Sequence, residues 1–321
     1  MSKAKIFIAG HNGMVGSSIT RQLLESGEKN LITASHAKLD LTNQANVLSF
    51  LKKKKIDQIY VAAAKVGGIY ANLKFPAEFI YKNIMIEANI IHSAFLTGVK
   101  KILFLGSSCI YPRSIKGSIK EEDLLSGKLE FTNEPYAIAK IAGIKMCESY
   151  NRQYGKSHGV DYRCVMPSNL YGPGDNYDLK NSHVIPALIK KFYKAKKNAL
   201  PFVTIWGTGK PKREFLHVHD LAQACIYIMN IKKNHYYKNI SPLSSHVNVG
   251  SGKEISIKML ANLIKNIIGY KGKIKFDNSK PDGTMSKLMN NSRIKTFNWS
   301  SKINLEEGLK QVFLDFKENI E

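Results

Sequence analysis

The chain has 321 residues, a hydrophobic fraction of 44% and a formal net charge of +23, enough apolar material for one large or two modest domains with a full core. No run of about 18 apolar residues is present, which excludes a helical membrane span; four scattered cysteines (Cys109, Cys147, Cys164, Cys225) without a CxxC pair argue against a disulfide framework or a zinc site. The positive charge does not by itself point to nucleic acid, because only six of the 48 basic residues are arginine, the residue whose bidentate fork reads bases and phosphates.

Met1 to Lys5 leads straight into a short apolar strand over Lys5–Ala9, with no apolar leader ahead of it, so a reducing cytoplasm is expected. Gly10-His11-Asn12-Gly13-Met14-Val15-Gly16 follows, then a helical pattern over Ser17–Ser26. Strand, GxxGxxG, helix is the pattern of a dinucleotide site. The glycines allow a tight turn and bring backbone close to a pyrophosphate that rests on the helix N-terminus. A second strand is expected over Asn30–Ala34. No acid stands at its tip; Ser35, His36 and Lys38 favour a 2′-phosphate, hence NADP, and Asp40 and Leu41 are expected along the adenine.

A helix over Val47–Lys54 runs into Lys52–Lys55, positive charge where the helix dipole favours it. Ile56–Ala62 reads as a strand that ends in Ala63–Gly68 beside the nucleotide. Pro76–Gly98 is a long helical pattern with Ile80, Ile84, Ala88 and Ile91 on one stripe, expected to be core or a dimer face. Lys101–Leu105 is a buried strand that Gly106 ends. Ser107 therefore stands just past a strand's carboxyl end, where open α/β sheets bind ligands.

After a polar stretch, Tyr136–Tyr154 is helical, and Tyr136 and Lys140, four apart, share a face. A lysine ammonium beside a phenol is expected to lower its pKa. Such a tyrosine exchanges a proton with an alcohol or ketone while a serine hydroxyl holds the same oxygen, which equips the site for carbonyl reduction beside a hydride donor. YxxxK alone is a weak signal; the glycine pattern upstream gives it weight.

Val160–Met166 is another strand, ending at Pro167-Ser168-Asn169-Leu170. The alternation of strands and helices implies a parallel sheet. The pattern then changes. A helix opens at Asn181 and runs to about Lys197, and Phe202–Trp206 is a strand. Arg213–Asp220 leads into a helix over Leu221–Ile231, and Val247–Gly252 is a strand with a turn. Ser256–Ile268 is a helix, Lys273–Asp277 a strand, and Leu305–Glu318 an amphipathic helix. The expected class is α/β: a Rossmann-type doubly wound parallel sheet (1–166) with a smaller C-terminal α/β substrate lobe (167–321), some segments of which return to the first domain.

These pieces resemble the extended short-chain dehydrogenase/reductase superfamily, which modifies nucleotide sugars. Longer blocks are similar to the branch that epimerises and reduces GDP-4-keto-6-deoxymannose: Ala62–Gly68, Leu105–Pro112, Asn133–Lys145, Cys147–Gly155, Asn181–Ala187, Arg213–Val218 and Lys280–Thr284, nearly the whole chain. The resemblance implies an NAD(P)-dependent enzyme that inverts C3 and C5, reduces C4 to give GDP-L-fucose, and works as a homodimer. The dimer's four-helix interface would come from the helices around Asn83–Phe95 and Tyr136–Tyr154. Ser107, Tyr136 and Lys140 match the reductase triad, and Cys109 and His183 the epimerisation acid/base pair. Leu105, Gly106, Ser107, Ser108, Lys140, Pro167, Ser168, Asn169, Leu170 and His183 match cofactor-contacting positions. Ser108, Lys191, Trp206, Arg213 and Asp282 fall where the family contacts the GDP-sugar. Where the family turns arginines toward the 2′-phosphate this chain has Asn12 and His36, so NAD stays open beside NADP.

The resemblance leaves two alternatives: a C4 reductase of a related GDP-4-keto heptose, and a non-catalytic cofactor-sensing protein on the same fold. Cys147, Cys164 and Cys225 read as inert core residues, and His217 as structural rather than metal-binding.

Overall fold

The structure, a computed structural model, describes residues 4–179, 182–280 and 282–319. Met1–Lys3, Asn181 and Pro281, on which parts of the sequence expectations fall, lie outside them. The first half contains β1 (Ile6–Ala9), α1 (Met14–Glu25), β2 (Leu31–Ile32), α2 (Gln44–Lys54), β3 (Gln58–Val61), α3 (Ile69–Lys74), α4 (Pro76–Leu96), β4 (Lys101–Leu105), α5 (Glu134–Tyr154) and β5 (Asp161–Pro167). The second contains β6 (Asn169–Tyr171), α6 (Val184–Lys197), β7 (Phe202–Trp206), β8 (Lys212–His217), α7 (Val218–Asn230), α8 (Lys233–Lys238), β9 (Val247–Val249), β10 (Glu254–Ser256), α9 (Ile257–Ile268), β11 (Lys273–Asp277), α10 (Ser292–Thr296) and α11 (Leu305–Asn319).

Alternation along the strands builds the layers. Phe7 and Ala9 of β1 and Ile102 and Phe104 of β4 face one core with Val47, Ile90, Ile91, Ala94 and Ile144 from α2, α4 and α5. Ile6, Ile8, Leu103 and Leu105 face the other with Ile19, Leu23, Leu221, Cys225 and Ile228 from α1 and α7. Side chains alternate across a strand, so a sheet buried on both faces reads as a continuous apolar run. The six strands lie in the order β2-β1-β3-β4-β5-β9, every pair parallel. The order reverses at β1, and the crevice beyond the carboxyl ends of β1 and β3 is the ligand position of such sheets. A third core joins Ile189, Phe192, Val203, Ile205, Leu260, Ile264, Val312 and Phe316 of the C-terminal elements. Around it stand a three-stranded sheet, β10-β8-β6, and the parallel pair β11-β7.

Local chemistry fixes the ends. Asn43 caps α2 by accepting the Asn46 N–H at 3.0 Å, and three lysines occupy the last turn. Ser256 caps α9 in the same way, and Gly269 ends it at φ +73°, a left-handed turn that suits glycine.

One expectation is corrected and two details are added. The second strand shrinks to Leu31–Ile32, because the chain turns at Ser35, whose carbonyl accepts the N–H groups of Lys38 and Leu39. A short helix, α3, fills the stretch after Gly68. On α4 the stripe of Ile80, Ile84, Ala88 and Ile91 is only partly core: Ile91 is buried while the other three are half-exposed. The buried residues are Phe79, Asn83, Glu87, Asn89, Ile90, Ile91, Ser93 and Ala94, four polar groups among apolar ones. Among the described residues no helix is long and apolar enough to cross a membrane.

Candidate active site

The glycine run lies where β1 hands over to α1. Gly10 sits at φ +88°, and a Cβ there would stand 2.6 Å from the Ala63 nitrogen; a Cβ on Gly16 would stand 2.1 Å from the Gly10 carbonyl oxygen. Both positions therefore demand glycine. Gly13 is the N-cap of α1 and has no side chain to offer its first N–H groups. Those groups, at Met14 and Val15 beside half-buried His11 and exposed Asn12, leave a cradle for an anion. The arrangement fits a dinucleotide pyrophosphate. Farther along, His36 is exposed. Asp40 accepts the Thr42 N–H at 2.9 Å and its hydroxyl at 2.7 Å, which holds its carboxyl below the usual range. The Leu41 carbonyl is held by Asn89 of α4.

The loop after β3 is pinned by Asn83. Its side-chain oxygen accepts the Lys65 N–H at 2.8 Å, and its amide donates to the Lys65 and Phe79 carbonyls. Beyond β4, the Gly106 N–H donates to the Val165 carbonyl at 2.9 Å. A Cβ on Gly106 would meet Met166 Sδ at 2.2 Å, so the ends of β4 and β5 close only around glycine. Leu105, Pro167, Ser168, Asn169 and Leu170 stand along the same carboxyl edge. Ser168 is buried with a hydroxyl that has no hydrogen-bond partner, and Asn169 donates to the Glu214 carbonyl.

Ser107 opens a single 3₁₀ turn, Ser108–Ile110, and its hydroxyl accepts the Cys109 N–H at 3.4 Å. Ser108 and Cys109 are both buried. Helix α5 brings Tyr136 and Lys140 to this turn. Lys140 Nζ lies 4.7 Å from the Phe104 ring centroid and 5.8 Å from that of Tyr136. It also lies 2.8 Å from Glu87 Oε1 on α4, with both side chains 2% exposed.

The expectation that Lys140 lowers the Tyr136 pKa is corrected. Tyr136 is half-buried, and burial pushes its phenol well above its usual range. The fields of Cys109 and Glu87 add in the same direction. The lysine is paired instead with Glu87.

Burial also raises the Cys109 thiol, opposed first by the cation of Lys287, then by the hydrogen bond from Ser107 and the charge of Lys140. Lys287 is a site residue that the sequence reading missed. It lies in an irregular segment without motif or periodicity. Burial lowers its ammonium pKa, with Cys109 and Glu130 acting against that and Arg213 adding to it.

Trp206, Arg213 and Asp282 line one pocket with Gly209, Pro211 and Ile257. Lys191 Nζ sits 5.9 Å from the Trp206 ring, and burial lowers its pKa. Arg213 donates to the Thr284 carbonyl at 2.5 Å. Asp282 accepts the Thr208 N–H at 2.9 Å and its hydroxyl at 2.6 Å. His183 is the residue not drawn in. It is the exposed N-cap of α6 beside the field of Asp175, and among the described residues no hydrogen bond joins it to Cys109. His217 is structural: its Nδ1 accepts the His219 N–H at the start of α7, and burial lowers its pKa to about 4. Among the described residues no cluster of His, Cys, Asp and Glu is placed to hold a metal.

A doubly wound sheet with a glycine cradle at the switch point and a Ser–Tyr–Lys group beyond β4 defines a nucleotide-dependent enzyme of the short-chain dehydrogenase/reductase class. Residues 6–250 match the model of the NAD dependent epimerase/dehydratase family, and the chain belongs to that family. It is 53% identical over 319 residues to a GDP-L-fucose synthase of Escherichia coli (strain K12), covering 99% of this chain and 98% of the relative. Among solved structures it is similar to a GDP-mannoheptose C4 reductase from Campylobacter jejuni with NADP bound. That likeness has a TM-score of 0.88 and 37% identity, and covers 99% of each chain. It is also similar to a GDP-L-fucose synthetase from Naegleria fowleri bound to NADP, with a TM-score of 0.88, 26% identity, and 99% and 95% coverage.

Proposed function

We propose that this chain converts GDP-4-keto-6-deoxy-D-mannose to GDP-L-fucose, inverting C3 and C5 and then reducing C4 with NADPH. The observation that carries this reading is the thiol of Cys109 set one turn from the Ser107 hydroxyl, with Tyr136 and Lys140 beside them. A plain reductase needs no such thiol. The near-full-length identity to a GDP-L-fucose synthase supports the substrate, and the NADP in two similar structures supports the cofactor.

Gly10–Gly16, the ends of β4 and β5, His36 and Asp40 would hold the cofactor, which supplies a hydride when bound. The 4-ketone acidifies the hydrogens at C3 and C5. Cys109, as thiolate, removes a proton there and His183 returns one to the opposite face. The hydroxyls of Ser107 and Tyr136 donate hydrogen bonds to the enolate oxygen at C4. During reduction Tyr136 gives its proton to that oxygen, leaving an alcohol, with Lys140 beside it. The Lys287 and Lys140 cations favour the thiolate that burial disfavours. Arg213 and Lys191 present positive charge to the diphosphate, and Trp206 an aromatic face to the base.

We further place the protein in a reducing compartment, on four free and buried cysteines. We read it as a homodimer joined through α4 and α5. The half-exposed Ile80, Ile84, Ala88 and Ala142, together with exposed Ile138, make an apolar surface on those helices.

The test is turnover of GDP-4-keto-6-deoxymannose in deuterated water with NADPH or NADH. NADPH oxidation with deuterium at C3 and C5 is the expected result. Reduction without deuterium would leave a C4 reductase alone. Turnover only of a GDP-4-keto-heptose would favour the second reading, which the likeness to the mannoheptose reductase suggests.

A further inference from the structure

We propose that Glu87 is a positioning residue of this site: its buried pair with Lys140 fixes the lysine against α4 and weakens its charge at Tyr136 and Cys109, keeping the phenol a proton donor. The inference rests on the reading of Tyr136 as the acid of the reduction.

Glu87 lies in an apolar run, Ile84-Met85-Ile86-Glu87-Ala88-Asn89-Ile90-Ile91, where a charge is costly unless partnered. Its partner is the lysine of YxxxK, at 2.8 Å, and neither carboxylate oxygen has any other hydrogen-bond partner among the described residues. The carboxylate is thus committed to Lys140, whose charge and hydrogen bond oppose the burial that raises the Glu87 pKa. The fold makes room for it. A Cβ on Gly143, where α5 crosses α4, would lie 2.7 Å from Glu87 Oε2 and 2.4 Å from the Phe104 ring, so glycine at 143 admits both.

The charges around the site are few and identified. Tyr136 faces Cys109, Lys140 and Glu87. Cys109 faces Lys287, Ser107 and Lys140, and Lys287 in turn faces Arg213 and Glu130. Behind the pair, Cys164 of β5 also feels Glu87. Of the two cations reaching Cys109, Lys140 is the one tied to a buried anion. A bare lysine here would favour phenolate and thiolate together. With Glu87 in place the thiol keeps the help of Lys287, while the phenol retains its proton.

The experiment is alkylation of Cys109 by iodoacetamide in the protein without sugar, followed against pH by peptide mass spectrometry. Cys147, Cys164 and Cys225 are 0% exposed, so the readout belongs to Cys109. In Glu87→Gln the freed Lys140 charge should lower the alkylation midpoint by about one pH unit, while Glu87→Asp stays near the parent. A Glu87→Gln protein with parental melting and an unmoved midpoint would overturn the proposal. Removing one member of a buried pair can cost the fold, so a second comparison sets Lys140→Met against Glu87→Gln/Lys140→Met. With the cation gone Glu87 has no charge to weaken, and the two midpoints should coincide. A separation between them means that Glu87 acts on the thiol directly, and the proposal fails. No substrate enters the assay, so its failure is distinct from a failure of the proposed reaction.

Discussion

Glu214 of β8 is tied to Met289. Its Oε2 accepts the Met289 N–H at 2.8 Å, while Oε1 accepts the Gly252 N–H at 2.6 Å. The strand that carries Arg213 thereby holds the segment that carries Lys287. The carboxylate is fully buried, and burial raises its pKa from 4.5 to about 7 despite the N–H groups of Met289, Gly252 and Ser251; Glu254 adds to the rise.

A pH dependence follows, with its sign. In the unfolded chain this group ionises near 4.5 and in the folded chain near 7, so the folded state holds the proton longer. Its contribution to stability is full below the lower value and is lost as pH rises through 7, a change on the order of 3 kcal/mol. Melting curves between pH 5 and 8 should show the parent losing stability relative to Glu214→Gln, whose amide does not titrate. A difference that stays flat with pH would count against the assignment.

The glycine cradle gives a second expectation. Gly16→Ala drives a Cβ into the Gly10 carbonyl, which is backbone and cannot swing away, whereas Gly13→Ala meets its nearest atom at 3.5 Å. Overpacking of this kind costs about 1–3 kcal/mol, or roughly tenfold to a hundredfold in affinity. Fluorescence titration with NADPH should show that loss for Gly16→Ala and a much smaller one for Gly13→Ala; equal effects would refute the cradle.

Tyr136→Phe should lower the rate of reduction by ~10²–10⁴-fold, the range expected for loss of a positioned acid. Deuterium exchange at C3 and C5 should persist at a reduced rate, because Cys109 is untouched and Ser107 still donates to the enolate oxygen. Normal cofactor oxidation by this variant would remove Tyr136 from the mechanism.

Cys109→Ser should stop that exchange while NADPH still binds. Lys287→Met tests the cation beside the thiol. Lys287 holds the Cys109 pKa down, so its loss moves the ascending limb of exchange to higher pH. Exchange should fall at pH 7 and recover in alkaline buffer. A uniform loss across pH would assign Lys287 to binding alone.

Much of this was legible in the sequence because it is local. Gly10, Gly13 and Gly16 lie within seven residues; the demand for glycine at Gly16 is set by the strand–helix turn itself, while that at Gly10 also comes from Ala63 beyond β3. Tyr136 and Lys140 share a face because a helix repeats every 3.6 residues. The cysteines, His217 and most strands of the parallel sheet were readable from spacing and flanking residues, whereas β6, β8 and β10 of the second sheet were not. The inward face of α4 was not, since Ile80, Ile84 and Ala88 carry the stronger apolar signal, yet Asn83 and Glu87 are the residues turned to the site. A lone acid in an isoleucine-rich run was the available clue.

The sequence by itself determined the class of sheet, the glycine turn after β1 and the shared face of Tyr136 and Lys140, since turn chemistry and helical period need only a few consecutive residues. Tertiary structure alone decided which charges act on them. Glu87 meets Lys140, the charge of Lys287 reaches Cys109, and Glu214 meets Met289, each pair from separate parts of the chain. Their effect is electrostatic, and burial, which no single segment encodes, sets its strength.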